Sequence, residues 1–190
     1  MKRDDTAAKL LATARNEFLR YGFDGTDVTR IARRAGFSPN TFYRCFKGKV
    51  DVFIAVYLAW AAEEQQVFER LIAGPGAVTA ILDAMIARNR RHVWFRRSIR
   101  RLGHEDSFVR RAIALVRRDQ LRTLTTWAGP SADPAAVAAD LIQFEQLVAT
   151  LAEAELDDMA LDDGPLRDRL AALLMRWRVH PVMGDPAIRA

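Results

Sequence analysis

Apolar residues recur at helical spacing along nearly the whole chain, and the repeat is cut only where glycine and proline cluster. No run alternates Val, Ile and Thr in the two-residue rhythm of a strand, so the chain is expected to be all-α, with about nine helices. A first helix should run from Asp4 or Asp5 to Tyr21, with Leu10, Leu11, Ala14, Phe18 and Leu19 on one stripe and Gly22 ending it. Thr26 or Asp27 caps a short second helix, Val28 to Ala35, which Gly36 closes. Ser38-Pro39 supplies a side-chain cap and a first-turn proline for a third helix ending near Phe46. Lys49 opens a long fourth helix to about Ala73, where Gly74-Pro75-Gly76 breaks it. Five more follow over 77–91, 93–102, 107–128, 134–157 and 165–178, and the tail 181–190 should be frayed.

With 50% apolar and 28% charged residues in 190, the composition is that of a globular protein and not of a disordered one. The longest unbroken apolar run, Val52 to Ala62, falls short of the roughly 18 residues that cross a bilayer. The N-terminal stretch carries Lys9, Arg15, Glu17 and Arg20 and lacks the apolar core of a secretory signal, so a cytoplasmic location and no membrane partner are expected. Cys45 is the single cysteine, which excludes an internal disulfide framework and a Cys-based zinc site. As the one thiol it has no second Cys to resolve a sulfenate, and it reads as an incidental small residue.

Charge is arranged in blocks. Residues 1–50 carry 11 Lys/Arg against 5 Asp/Glu, 85–122 carry 12 against 3, and 123–166 carry none against 9. A basic head, a basic middle and an acidic segment suggest different partners for each. Arg88, Arg90, Arg91, Arg96, Arg97, Arg100 and Arg101 form the densest run. It reads as a salt-bridged surface, with Asp157, Asp158, Asp162 and Asp163 as candidate partners; an anion site or extra DNA-backbone contact are the alternatives.

Residues 28–46 make two short helices joined by Gly36-Phe37-Ser38, the tight turn of a helix-turn-helix unit. Val28, Ile31, Ala32 and Ala35 form one face of the second helix, while Phe37, Phe42 and Phe46 close a small core with Phe18. Burying Phe42 and Phe46 turns Asn40, Thr41, Tyr43 and Arg44 outward from a helix whose N-terminal end is positive. Asn can pair with an adenine edge, Arg with guanine, and a threonine methyl with the thymine methyl. Tyr43, Lys47 and Lys49 suit phosphates, which fix register without reading sequence.

From about residue 6 to residue 57 the sequence resembles the DNA-binding domain of the TetR family of bacterial transcription regulators. Phe18, Gly22-Phe23, Thr26, Val28, Ile31-Ala32, Ala35-Gly36, Ser38, Thr41-Phe42-Tyr43, Phe46, Lys49 and Phe53 carry the resemblance. It implies groove or base contact for Ser38, Pro39, Asn40, Thr41 and Arg44, with Thr29 reaching from the second helix, and backbone contact for Thr26, Tyr43, Lys47 and Lys49. Asp27 departs from the Thr or Ser usual in the family and would repel phosphate. Cys45 stands for a common His, and Gly48 for a common capping Ser, Asn or Asp.

The domain organisation expected from this is a helix-turn-helix domain over 1–48 and a ligand-binding and dimerisation domain over 49–180. The nine-helix plan is similar to the family's, in which helices four to seven enclose a ligand and helices eight and nine pair with a second subunit. Tyr57, Trp60, Trp94, Phe95, Phe108 and Trp127 are the candidate pocket residues. Stripes on the last two helices offer Phe144, Leu147, Leu151, Leu170, Leu174 and Trp177 as dimer residues; closure of the monomer core is the competing reading. His92, His104 and His180 are scattered without metal-ligand spacing, and neither a phosphate loop nor a nucleophile motif occurs. No catalytic residue, metal or cofactor is therefore assigned. His104-Glu105-Asp106-Ser107 reads as a cap for the seventh helix.

The function these features imply is a homodimeric transcriptional repressor bound to a palindromic double-stranded operator and released by a small-molecule effector. A ligand-independent DNA-binding protein, an activator of the same fold, or a small α-helical enzyme are the alternatives.

Overall fold

The computed structural model describes residues 3–178, so the expected frayed tail 181–190 lies outside the described residues. Among these the fold is all helical: α1 (Arg3–Tyr21), α2 (Val28–Arg34), α3 (Pro39–Cys45), α4 (Lys49–Ala73), α5 (Val78–Arg91), α6 (Val93–Glu105), α7 (Ser107–Ala128), α8 (Pro134–Glu153) and α9 (Gly164–Arg178), with a 3-10 turn at Asp157–Met159. Side-chain caps set several of the starts. Asp27 accepts from the Arg30 N–H, Ser38 from the Thr41 N–H and Asp133 from the Ala135 N–H.

Two ends differ from expectation. Helix α6 runs through Gly103 to Glu105, because this glycine serves a close crossing and not a stop: a Cβ there would lie 2.7 Å from Ile113 Cδ1 of α7. Asp106 then ends α6 and starts α7, its Oδ1 accepting from the N–H groups of Phe108 at 2.7 Å and Val109 at 3.2 Å. Helix α8 stops at Glu153 instead of about 157, where Ala154 turns left-handed at φ 58° and its N–H closes on the Thr150 carbonyl.

The chain packs as two compact units, divided within α4 after Glu64 and within α7 after Val116. The first comprises α1 to α3, the N-terminal half of α4, α6 and the first turns of α7. Phe53 is its hub. Its ring meets those of Phe18, Phe23 and Phe95 at centroid distances of 5.1, 5.2 and 5.3 Å. Phe18, Ile31, Ala32, Phe42, Val52, Phe53 and Phe95 are fully buried, and each Phe or Ile among them contributes about 1.5–3 kcal/mol through lost apolar exposure.

The second unit comprises the remainder of α4 and α7 with α5, α8 and α9. Phe68 stacks on Trp127 at 6.0 Å and meets Phe144 and Trp177 edge-on at 5.9 and 5.8 Å. Arg167 ties α9 to α5, bonding Asp163 at 2.8 Å and Asp83 at 2.6 Å. These two carboxylates hold its guanidinium above the usual arginine range.

This packing corrects the expected dimer face. Phe144, Leu151, Leu170, Leu174 and Trp177 are buried within the single chain, and Leu147 packs partly buried against the same cluster. The stripes of α8 and α9 pack on each other and on α5, so these six residues are covered by their own chain. Helix α8 has the length and hydropathy of a bilayer-crossing segment, yet Val137, Leu141, Phe144, Val148 and Leu151 lie in this core.

Candidate nucleic-acid interface

Helix α3 is fixed from beneath. Phe42 of α3 is fully buried, with Phe46 5.5 Å from it and the Tyr43 ring standing edge-on at the same distance. With that anchor at the centre of a seven-residue helix, the other positions face out. Ser38, Pro39, Asn40, Tyr43 and Arg44 are exposed, Tyr43 at 58%, and Thr41 is partly so. Thr41 is held by its neighbours: its Oγ1 lies 3.1 Å from Ser38 Oγ and accepts from Arg44 Nη2 at 3.3 Å. The structure thus brings together the residues assigned to groove contact on one polar face.

Helix α2 is locked against α1 by a buried carboxylate. Glu17 lies in the core and pairs with Arg30 at 2.6 Å and Arg34 at 2.5 Å. Arg30 is also held 4.2 Å over the Tyr21 ring. Thr29 is exposed, but Thr26 is not. At 2% exposure its hydroxyl donates to the Gly22 carbonyl at 3.0 Å, so the backbone contact expected of it is spent inside the turn between α1 and α2.

Lys47 is exposed, and its N–H donates to Asp51 Oδ2 at 2.9 Å. This ties the residue before Gly48 to the first turn of α4. Lys49 is half-buried with Nζ 4.0 Å from the Phe23 ring centroid. Burial lowers its pKa from the usual 10.5, against the attraction of Asp24 and Asp27 and with a smaller push from Arg101. Arg101 of α6 is bound to both oxygens of Asp24 at 2.8 Å. Asp24, one of the two carboxylates near Lys49, is therefore partly neutralised from α6.

Helix α6 holds the turn between α1 and α2 at a second point. Ser98 Oγ accepts from the Phe23 N–H at 2.9 Å and donates to the Trp94 carbonyl at 2.9 Å. Gly22, with φ at 69°, lets the two backbones meet, since a Cβ would lie 3.2 Å from that carbonyl. Glu17 and Ser98 were not singled out from the sequence. The available signal was a polar residue placed on an otherwise apolar stripe, Glu17 beside Ala14 and Phe18, and Ser98 beside Phe95, Ile99 and Leu102.

Of the expected pocket residues, Tyr57, Trp60 and Phe95 meet ring to ring. Tyr57, Trp60 and Phe95 lie in the core of the first unit, while Trp127 stacks on Phe68 in the second. Trp94 and Phe108 are surface residues, 56% and 64% exposed, each beneath an arginine, Arg97 and Arg111. An open groove of about 620 Å³ lies in the second unit, along the end of α7 and the following loop. Arg118, Leu121, Arg122, Thr125 and Pro130 are among its lining, and none of the six expected residues is. In the arginine run, Arg96 pairs with Glu64, Arg101 with Asp24 and Glu105, and Arg90 donates to the Leu151 carbonyl. Asp163, one of the carboxylates expected to meet this run, bonds Arg167 instead.

Residues 10–56 match the family model of bacterial regulatory proteins of the tetR family. No protein of curated function matches the chain in sequence. Among solved structures, a TetR-family transcriptional regulator from Mesorhizobium loti is 19% identical with a TM-score of 0.62, over 93% of this chain and 96% of that one. The fatty acid degradation regulator FadR from Bacillus halodurans is 15% identical with a TM-score of 0.57, over 88% and 93%. The regulator FadR from Bacillus subtilis, solved with stearoyl-CoA, is 17% identical with a TM-score of 0.52, over 88% and 96%. Residues 10–56 are thus a helix-turn-helix DNA-binding unit of the transcription-regulator class. More closely, the chain carries the DNA-binding domain of the TetR family and the fold of that family's regulators.

Proposed function

We propose that the protein is a homodimeric repressor that binds a palindromic operator in the cytoplasm and leaves it when a small molecule binds. The observation that carries this reading is the polar face of α3, with Asn40, Tyr43 and Arg44 exposed above the buried Phe42. Two such helices related by a twofold must lie one DNA turn apart, about 34–36 Å, to enter successive major grooves. The dimer contact assigned here uses the outward positions of α8 and α9, Ala139, Ile142, Gln146, Ala172 and Met175, which are exposed and uncharged. Support for a ligand comes from the fold shared with regulators, one of them solved with stearoyl-CoA. A ligand shifts DNA affinity only by its differential affinity for the two states.

The test is a binding titration against the DNA flanking the protein's own coding region, with and without candidate metabolites. A shift of a defined fragment at near-physiological salt, relieved by at least one metabolite, is the expected result. Equal affinity for any DNA sequence, or no metabolite effect, would remove the operator-specific or the ligand-responsive half of the reading. Ile142→Arg, read by sedimentation, should convert the dimer to a monomer.

A further inference from the structure

We infer that the acidic turn between α8 and α9 of one copy of this chain seats in the groove at the end of α7 of a second copy, and the reverse. Two surfaces of opposite charge flank α8. Before it, the groove is lined by Leu121, Ala132 and Pro134, with the exposed Arg118 and Arg122 among its walls. Arg122 pairs with Asp119 at 3.3 Å, but both side chains are exposed and such a pair is weak. After α8, residues 153–163 carry six Asp or Glu and no Lys or Arg. Asp157, Asp158 and Asp162 are exposed, and between them stand Met159 and Leu161, 58% and 57% exposed. The groove thus joins apolar walls to guanidinium groups, and the turn joins apolar side chains to carboxylates.

The turn is held in a defined shape. Ala154 and Ala160, with φ at 58° and 53°, are the non-glycine residues in left-handed backbone among the described residues, and both belong to it. The N–H groups of Met159 and Leu161 each donate to the Leu156 carbonyl at 3.0 Å, which fixes the backbone beneath the two exposed side chains.

One chain does not bring these surfaces together at the ends of α8. Pro134 is its first residue and Glu153 its last, so the turn begins about 30 Å from the Pro134 end of the groove, at 1.5 Å per residue. A second copy can bring them together. The outward positions Ala139, Ile142 and Gln146, assigned above to the dimer contact, lie near the middle of α8. A twofold axis perpendicular to the helix there runs the two copies of α8 antiparallel, with the start of each beside the end of the other. Each groove then faces the other copy's acidic turn, and the contact is made twice. The inference rests on the proposed dimer and names what locks its ends.

Sedimentation of the full chain tests it, with Asp157→Arg/Asp158→Arg as a turn variant and Arg118→Glu/Arg122→Glu as a groove variant. The wild type should dimerise with a dissociation constant that rises with salt. Each variant alone should dimerise more weakly by about tenfold or more, with its helical circular dichroism unchanged, since like charges now meet at both contacts. An equimolar mixture of the two variants should regain a dimer within about threefold of wild-type strength, because each turn then finds a groove of opposite charge on the other chain. Wild-type dimerisation in both variants, or a mixture as weak as the variants alone, would overturn the inference. Should Ile142→Arg still give a monomer in that case, the dimer stands without this lock. A wild type that sediments as a monomer at all concentrations overturns both.

Discussion

Helix α3 and the pair α8–α9 carry apolar stripes of the same kind and use them in opposite ways. In α3 one buried ring, Phe42, leaves a polar face on the surface, so knowing which residues go inside also tells which residues face a partner. In α8 and α9 the stripes are broad, and Phe144, Leu170, Leu174 and Trp177 disappear into one chain's own core. Periodicity reports that a face is covered and not what covers it. A short helix with a single anchor exposes its function; a long helix with a full stripe conceals whether the cover is its own chain or another.

The sharpest break of that comparison is to remove an anchor from each. Trp177→Ala and Phe42→Ala should each cost about 3–5 kcal/mol in denaturant unfolding, the range for a large buried aromatic. For Trp177 the loss should appear as unfolding of the chain itself; a variant that keeps its stability and only dissociates would place Trp177 in the interface. The next effect lies on the exposed side of α3. Asn40→Ala or Arg44→Ala should cost about 1–3 kcal/mol of operator affinity and alter base preference at one position, read by competition with substituted operators. Ser38→Ala, which removes the α3 cap, should cost about 1 kcal/mol of stability in the same unfolding assay.

The smallest effect belongs to Lys49. Lys49→Ala should weaken all DNA sequences alike and reduce the salt slope by about one unit for a lost phosphate contact. Its lowered pKa adds a pH signature. The folded chain holds this proton less tightly than the unfolded chain, so this group's contribution to stability rises with pH from the lowered value toward 10.5. DNA affinity should fall over the same window as the charge is lost. Neither trend should survive in Lys49→Ala.

How much of this was legible follows from where the information resides. Helix starts could be read because caps are local: Asp27, Ser38 and Asp133 sit next to what they satisfy. The outward polar face of α3 was equally readable, since two short helices and a three-residue turn leave few arrangements. Thr26 was misread because a hydroxyl at a helix start can turn either way, and only the neighbouring Gly22 carbonyl decides. Trp94 and Phe108 were misread because aromatic character suggests burial, while each here lies at the surface under an arginine. Gly103 gave no local sign that it belongs inside a helix, as its reason is 10 residues away at Ile113.

That crossing has a mechanical consequence. At residue 103 the bare ribbon of one helix meets the far end of the Ile113 side chain of its neighbour, which must swing aside for any larger residue. Ala or Ser at this position should be met by rotation of the Ile113 side chain, and Ile113→Ala should relieve what strain they leave. Any signal that travels by sliding one rod along the other must shear this point first.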